Sequence, residues 1–268
     1  KTIVTCQKCM RAGGKHNDLD NIGFTTRHHS FFEMLGNFSF GDYFKNDAIH
    51  YAWDFLINHL KLDKNRLYIS VHESDDESKN IWINNIKIDP KKVLILGDED
   101  NFWQMGETGP CGPCSEIYYD LGDKYDGVLP TEGDPKDRYI EIWNLVFTQY
   151  NKTVEGKLEE LPQKCVDTGM GLERIQAITE GLSDNYHSSI FSELNKFIDL
   201  KIKLNGKLGY VKKILLDHIR ACCHLISDNV IPDREGRGYV LRRILRRSSR
   251  FIYKHNITEP FLYECAEV

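Results

Sequence analysis

Residues 9–44 read CMRAGGKHNDLDNIGFTTRHHSFFEMLGNFSFGDYF, and the rest of the chain is interpreted around them. Arg11 precedes the pair Gly13-Gly14, which breaks a first strand and predicts a turn. A polar segment follows, and the Phe-rich residues 30–40 predict the returning strand of a hairpin. Guanidinium groups suit phosphate and aromatic rings suit a base, so the hairpin is a candidate nucleotide site. An ordinary hairpin with a solvated, charged tip is the alternative.

The bulk composition is that of a globular chain. It has 268 residues, a formal net charge of -5, 41% hydrophobic and 28% charged residues, which suits one large domain or two smaller ones. No apolar run approaches the roughly 20 residues of a membrane-spanning helix, so no membrane partner is expected. The first residues lack the apolar core of a signal peptide, and no Met begins them. We therefore expect part of a longer protein.

The cysteines raise the question of a metal site. Eight are present, and without a signal peptide we expect them to be reduced. Cys6 and Cys9 form one C-x-x-C pair and Cys111 and Cys114 a second, a set that could enclose tetrahedral zinc. The pairs are far apart, and Gly and Pro in the second explain a tight turn by themselves. No metal ligand is therefore assigned, and zinc is not expected in this region.

Two periodicities divide the chain. Alternating apolar residues predict strands at 66–72, 92–96, 115–120 and 138–150, whereas Asn46 caps a predicted helix at 47–59 and Ser74 with Glu77 caps a short one. Residues 98–114 are rich in Gly and Pro and predict an irregular loop. From about residue 185 onward, apolar residues recur only at the spacing of a helix. This change predicts domains at residues 1–186 and 187–268.

Two short patterns indicate ligand contacts. Residues 166–174 predict a strand, a glycine turn at Gly169 and Gly171, and a helix whose N-terminus favours anions, with Arg174 one turn in. Asn144 lies on an otherwise apolar strand face, where its amide is either satisfied by backbone or directed at a ligand. Both readings of Asn144 stay open from the residues alone.

The last helix, predicted at 238–254, has an apolar face and an arginine-rich face. The arginines on or just before it are Arg234, Arg237, Arg242, Arg243, Arg246, Arg247 and Arg250. Few acidic residues lie nearby in sequence, so the pattern favours a nucleic acid partner over a solvated face paired with acids.

Five long strings carry a family resemblance. Residues 11–45, RAGGKHNDLDNIGFTTRHHSFFEMLGNFSFGDYFK, are similar to motif 2 of the alanyl-tRNA synthetases, which are class II aminoacyl-tRNA synthetases. DNFWQMGETGPCGPCSEIYYD, EIWNLVFTQYN, DTGMGLERI and GRGYVLRRILRR resemble the family's later landmarks, in the same order. The resemblance implies an α+β catalytic domain, with an antiparallel sheet flanked by helices, and then a helical tRNA-recognition domain. No segment matches the family's N-terminal helix and motif 1 strand, and none matches its C-terminal editing and oligomerisation regions. We therefore expect the first domain to be incomplete at its N-terminus and the second at its C-terminus.

The resemblance also implies a reaction. Such an enzyme activates L-alanine with ATP to alanyl-adenylate and transfers alanine to the 3′ end of tRNA(Ala), with Mg²⁺ bridging the phosphates. We expect a cytoplasmic protein and leave an organellar form open. A catalytically impaired, synthetase-like tRNA-binding fragment is the alternative, ranked lower because Arg11, Asp167 and Arg174 are all present. An isolated editing hydrolase is excluded because its histidine-rich zinc motif is missing from the sequence.

Residue roles follow from the same resemblance. The set implied for ATP is Arg11, Lys15, Arg27, His28, Phe31, Gly171 and Arg174, with Arg11 and Arg174 catalytic. Phe31 stacks on adenine, with Phe32 as its alternative because neighbours on a strand face opposite ways. The set implied for alanine is Trp103, Asn144, Val146, Asp167 and Gly169: Asp167 holds the ammonium, Asn144 the carboxylate end, and Trp103 and Val146 enclose the methyl group.

The arginine-rich segment is expected to bind the acceptor stem of tRNA(Ala). Arg234 stands where many relatives carry an asparagine that reads a G·U pair, and arginine cannot accept a hydrogen bond. We expect the arginine face to provide salt-dependent affinity, and Arg234 or Asp233 to take part in reading the pair.

Overall fold

The computed structural model describes residues 1–13, 17–202, 209–257 and 259–268. The strands are β1 (Thr2–Met10), β2 (Phe31–Phe40), β3 (Leu67–His72), β4 (Val93–Leu96), β5 (Phe102–Gln104), β6 (Gly109–Asp120), β7 (Tyr139–Lys152) and β8 (Leu158–Gly171). The α-helices are α1 (Lys45–Asp54), α2 (Asp76–Asn80), α3 (Asp98–Asn101), α4 (Leu172–Thr179), α5 (Ser192–Lys201), α6 (Gly209–Ser227) and α7 (Gly236–Lys254). Helices α1 and α2 each continue into a π-helical turn, at Phe55–His59 and Ile81–Asn85.

The strands form a mixed sheet with helices around it. Its order is β1-β2-β8-β7-β6-β3-β4, and β5 pairs with β6. The pairs β2–β8, β8–β7, β7–β6 and β6–β3 are antiparallel, as is the pair β5–β6. Strand β4, in contrast, lies parallel to β3. The expectation of a purely antiparallel sheet is thus corrected at β4. The physical reason is that residues 73–92 cross over through α2, which returns the chain in the same direction as β3.

Most predicted elements are confirmed. The predicted hairpin corresponds to the neighbouring strands β1 and β2, the helix predicted at 47–59 to α1 and its π-helical turn, and the long last helix to α7. Four local predictions are wrong. Asn46 does not cap α1, which begins at Lys45 with Phe44 at its N-cap. The glycine turn predicted at Gly169 and Gly171 is absent, because both glycines are paired within β8, which runs directly into α4. Residues 98–114 form α3, β5 and the start of β6 rather than a loop, because a bulge between Cys111 and Cys114 accommodates the Gly and Pro residues within a strand. Asp75, rather than Ser74, caps α2.

Two compact units are distinguished within the fold. Unit 1 comprises residues 1–7 and 34–175, and unit 2 comprises residues 8–33 and 176–268. The sheet side chains of unit 1, such as Ile69, Ile117 and Phe147, are completely buried. Successive residues of β6 are buried, so both faces of the sheet are covered there, and each large apolar side chain contributes about 1.5–3 kcal/mol.

Unit 2 differs from the domain predicted at residues 187–268, because unit 2 also includes the loop of the hairpin. Leu19 and Ile22, from that loop, are buried together with Ile214 of α6. A larger cluster includes Ile198 of α5, Leu215 of α6 and Ile252 of α7. Apolar burial thus joins residues 8–33 to the C-terminal helices, a long-range contact that local sequence texture does not show. Over the described part of the chain, no helix combines the length and apolarity needed to cross a membrane.

Candidate functional site

One face of the sheet in unit 1 gathers most of the residues assigned to alanine. Residues opposite each other in antiparallel strands share a face, as do residues two apart in one strand. Two adjacent rows across β6, β7 and β8 result, and they are Glu116–Asn144–Gly169 and Cys114–Val146–Asp167. The register therefore brings Asn144, Val146, Asp167 and Gly169 together on one face.

Asp167 is the charged centre of this face. Its side chain is half-buried, and we find no hydrogen bond or ion pair to its carboxylate within the described ranges. Burial raises the pKa of Asp167 above its ordinary value. A partly buried carboxylate without a counter-charge carries a desolvation cost that a bound cation would offset. The site is thus built to take a positively charged group.

Asn144 is held by a residue that sequence analysis missed. Its Nδ2 donates to Glu116 Oε1 at 3.1 Å, and Tyr118 Oη donates to Glu116 Oε2 at 2.5 Å. The Asn144 Oδ1 atom is buried and has no hydrogen-bond partner among the described residues. Of the two readings of Asn144, full satisfaction by backbone is thereby excluded. The signal in the sequence that could have identified Glu116 is an acidic residue among the apolar residues of a buried strand.

The electrostatics around Glu116 are unusual. Burial, followed by the neighbouring charge of Glu141, raises its pKa well above the ordinary value, although the hydrogen bond from Tyr118 and the charge of Arg174 oppose this. Tyr118 in turn has a raised pKa, because it is buried beside Glu116. Glu116 therefore keeps a proton more readily than an exposed glutamate, while both of its oxygens stay engaged.

The space beside Asp167 is small. Val146 is 6% exposed and lies between Asp167 and Cys114, whose own side chain is 2% exposed. A Cβ atom at Gly169 would lie 2.8 Å from Met34 Sδ, so this glycine makes room for Met34 rather than for an open floor. Trp103 is on the short strand β5, opposite Gly112 of β6. The neighbours of Asp167 in its row, Val146 and Cys114, are thus both buried.

Arg174 is anchored to β7 in the first turn of α4. Its Nη1 donates to the Glu141 carbonyl oxygen at 2.6 Å and lies 3.9 Å from Glu141 Oε2. Gly171 has open space where a Cβ would be, with only Arg174 Cβ at 3.8 Å. The guanidinium is thus held in place by backbone as well as by charge, and Gly171 leaves its surroundings accessible.

The residues assigned to the nucleotide within residues 8–33 belong to unit 2. The Arg11 guanidinium carbon lies 5.1 Å from the centre of the Phe32 ring, and Arg11 Nη1 lies 3.8 Å from Asp18 Oδ2. Thr25 Oγ1 is 2.8 Å from His28 Nδ1, and Tyr186 Oη donates to the His28 carbonyl oxygen at 2.6 Å. Side chains of residues 185 and 186 thus fix the backbone around His28. Arg27, in the same segment, is half-buried, and its carbonyl oxygen accepts from Asn185 Nδ2 at 3.5 Å. Lys15 lies outside the described residues.

Phe31 requires a correction. Its side chain is 3% exposed, its ring stacks on His224 with centroids 4.2 Å apart, and the Arg220 guanidinium carbon lies 4.9 Å from its centre. It is a core residue of unit 2, packed with Leu241 and Ile244 of α7. A ring enclosed in this way has no open face for adenine, and Phe32, the alternative on the opposite strand face, stays a prediction.

A pair of substitutions separates these two rings. We expect Phe31→Leu to lower the melting temperature, through a loss on the order of 1 kcal/mol of packing, with little change in the KM for ATP. Phe32→Leu should raise the KM for ATP severalfold with little change in melting temperature, because the stacking of a base on an aromatic ring is worth roughly 1–3 kcal/mol. Thermal unfolding and ATP titration of both variants measure this. The reverse pattern would restore Phe31 as the base contact.

A buried polar network stands behind the hairpin loop in unit 2. The Asp217 carboxylate is 1% exposed, accepts from the Ser30 N–H at 2.8 Å and from the Ser30 hydroxyl, and lies 2.8 Å from His218 Nδ1. Arg247 Nη1 can only donate, so His218 Nε2, 2.8 Å away, accepts and the ring proton lies on Nδ1. Burial acts to raise the pKa of Asp217, but His218 and His29 outweigh it and hold that pKa well below its ordinary value.

The arginines of α7 fall into two groups. Arg242, Arg246 and Arg250 are exposed, as are Arg234 and Arg237 before and at its start, whereas Arg243 and Arg247 are half-buried. Arg247 donates to the Ile22 carbonyl oxygen at 3.3 Å as well as to His218. Arg247 is therefore committed to the fold of unit 2, which corrects its assignment to a nucleic acid face.

The opposite face of the sheet has a cavity of about 740 Å³. Its lining includes Trp143 and Met170, the strand neighbours of Asn144 and Gly169, together with Asn37, Tyr43 and Tyr51. None of the predicted site residues lines it. This cavity is thus separate from the face that carries Asn144, Val146, Asp167 and Gly169, which is called the carboxylate face below.

The cysteines are thiols in this structure. None of the eight is part of a disulfide, and burial raises the pKa of both Cys111 and Cys114. No group of three or more His, Cys, Asp or Glu side chains that could hold a metal ion occurs in the ranges that the structure covers.

A mixed sheet with flanking helices carries a half-buried carboxylate near the end of β8 and, in the first turn of α4, an arginine anchored to β7. A family model described as "tRNA synthetases class II (A)" matches residues 1–268. The chain therefore belongs to the class II tRNA synthetases.

The similar curated proteins are alanine–tRNA ligases. That of Coxiella burnetii (strain Dugway 5J108-111) is 54% identical over 97% of this chain and 30% of its own length. That of Halorhodospira halophila is 53% identical over 98% of this chain and 31% of its own length. The chain thus spans about 30% of the length of the relatives that it matches. Among solved structures, a pyrrolysyl-tRNA synthetase from Desulfitobacterium hafniense is 11% identical, with a TM-score of 0.33 over 70% of this chain and 44% of that one, too low to support a conclusion.

Proposed function

We propose that the protein containing this chain activates L-alanine with ATP to alanyl-adenylate and transfers alanine to tRNA(Ala). The observation that supports this best is Asp167, a half-buried carboxylate without a partner in the described residues, which lies opposite the buried Val146 in the β7–β8 pair. The names of the similar proteins point to alanine and tRNA. A cytoplasmic location stays a prediction.

In the proposed reaction the chain binds and orients rather than transferring protons. Asp167 holds the ammonium group of alanine, which leaves the alanine carboxylate free to attack the α-phosphate. Asn144 Nδ2 has a second hydrogen beyond the one given to Glu116, and this hydrogen is assigned to the carboxylate end. Fixing both ends of so small a substrate supplies the alignment on which such a displacement depends.

The nucleotide is assigned to arginines. Arg11 and Arg174 keep their charge and bind oxyanions in a fork, which suits the charge that develops at phosphorus. Arg174 is already fixed by the Glu141 carbonyl oxygen, so it loses little freedom on binding. ATP is expected for the family. Mg²⁺ is proposed to accompany its phosphates, and the roles of Arg11 and Arg174 depend on their own charge and donor geometry alone.

The central test is alanine-dependent ATP–pyrophosphate exchange by the full-length protein, screened against all amino acids. Exchange with alanine well above that with glycine and serine would support the proposal. Binding of tRNA(Ala) without exchange would favour the alternative, a catalytically impaired tRNA-binding protein. Exchange with a different amino acid would overturn the assignment of alanine.

The role of α7 in tRNA binding is part of the proposal, and neighbouring arginines test it. Arg246→Ala should weaken cognate and wobble-less acceptor stems alike and reduce the salt slope by about 1, because Arg246 is exposed and would contact phosphate. Arg247→Ala should instead lower the stability of unit 2 by about 1–3 kcal/mol, because it leaves the Ile22 carbonyl oxygen and His218 Nε2 without their donor. Salt-dependent binding and thermal unfolding of both variants distinguish the two roles. An unchanged salt slope for Arg246→Ala would remove this face from RNA binding.

A further inference from the structure

Glu116 is a buried ionisable group of unit 1 to which no role has yet been given. It lies directly opposite Asn144 in the β6–β7 pair, and it is 8% exposed. An ionisable side chain buried to this degree is rarely kept unless its polar atoms are engaged. Both of its oxygens are indeed engaged, one by Asn144 and the other by Tyr118.

The Asn144 amide has one fixed end. Nδ2 is bonded to Glu116, whereas Oδ1 has no partner among the residues that the structure describes. An amide can turn over and exchange the places of its nitrogen and oxygen, and its hydrogen bonds decide which arrangement is held. Since Oδ1 has no hydrogen bond to hold it, the contact with Glu116 selects the orientation.

We propose that Glu116 is a positioning residue, which fixes the amide of Asn144 so that its second N–H is directed to the amino acid substrate. The inference rests on the proposed function, since it acts through Asn144 on alanine. Neither oxygen of Glu116 needs to be charged for this. A neutral carboxyl still accepts from Asn144 through Oε1 when its proton lies on Oε2, where Tyr118 Oη can accept.

The surroundings of Glu116 agree with a carboxyl group that is neutral or that shares its proton with a neighbour. Glu141 of β7 and Asp100 of α3 place negative charge near it, while Arg174 of α4 places positive charge near it. Tyr118 is the neighbouring hydroxyl on its own strand. What the site requires of residue 116 is therefore an acceptor at the Oε1 position, a requirement that glutamine also meets.

The test compares Glu116→Gln with Glu116→Leu in the full-length protein by ATP–pyrophosphate exchange. Glu116→Leu removes the acceptor, so we expect the KM for alanine to rise on the order of 10-fold, with the KM for ATP little changed. Glu116→Gln should stay near wild type, since its carbonyl accepts from Asn144 and its amide N–H₂ faces Tyr118. Ser248→Ala, a buried polar change in α7 of unit 2, is the control and should leave both KM values unchanged.

A double-mutant cycle separates positioning from a structural role. In an Asn144→Ala background, Glu116→Leu should add no more than about a twofold change in the KM for alanine, because the side chain that it positions is gone. A full additional penalty in that background, or Gln as poor as Leu, would overturn the inference. If the wild type exchanges with alanine and all variants have equal KM values, the inference about Glu116 is overturned and the proposed function is not. Absence of wild-type exchange would overturn it together with the proposed function.

Discussion

Asp167→Asn should raise the KM for alanine by roughly 30- to 1,000-fold, with the KM for ATP little changed. The reason is that asparagine keeps the shape but removes the fixed charge opposite the substrate ammonium, a loss of about 2–4 kcal/mol. ATP–pyrophosphate exchange at varied alanine and varied ATP measures the two terms separately. Asp126→Asn, an exposed carboxylate paired with Lys136 in a surface loop, is the control and should change neither. An unchanged alanine term with a raised ATP term would refute the assignment.

The same substitution, Asp167→Asn, should weaken alanine binding but raise the stability of the ligand-free protein. Because burial raises the pKa of Asp167 in the folded state, its ionised form lowers stability at pH values above that raised pKa, and this cost disappears below its ordinary pKa. Asp167→Asn should therefore raise the melting temperature at neutral pH in the absence of ligand, and the gain should fade on acidification. A variant that loses alanine binding because it is destabilised would instead melt earlier at neutral pH.

Asp217→Asn should lower the stability of unit 2 by about 3–5 kcal/mol. The carboxylate accepts from the N–H and hydroxyl of Ser30 and from His218, so an amide N–H₂ placed there would face donors and leave buried groups unpaired. Thermal unfolding should show a fall of roughly 10 °C. Asp228→Asn, an exposed acid paired with Lys8, is the control and should have little effect.

The Asp217 network also gives an acid limit to stability. The folded-state pKa is lowered, so its stabilisation is fully present above the ordinary pKa of an aspartate and is lost as pH falls below that value. The wild type should therefore lose more stability on acidification than Asp217→Asn does. Parallel slopes of unfolding free energy against pH in that acid range would contradict this account of Asp217.

The sequence by itself determined the local elements and the carboxylate face. Alternation of apolar residues is enough to place β7, and the strand–glycine–helix pattern is enough to place Asp167 near the end of β8 and Arg174 in the first turn of α4. Strand order makes Asn144 and Asp167 neighbours once β7 and β8 pair, because side-chain direction alternates with a fixed period of two. These features depend on short-range rules, which the sequence states directly.

Only the tertiary structure decided which chemically suitable side chains are free to act. Phe31 and Phe32 are residues of the same type, as are Arg246 and Arg247. Contacts with residues distant in the sequence nevertheless bury Phe31 and hold the half-buried Arg247 by hydrogen bonds. Glu116 acquires its relation to Asn144 only when β6 and β7 pair, and residues 8–33 join the C-terminal helices only through buried apolar contacts. The physical reason is the same throughout: burial and hydrogen bonding depend on long-range neighbours, which periodicity and residue type do not encode locally.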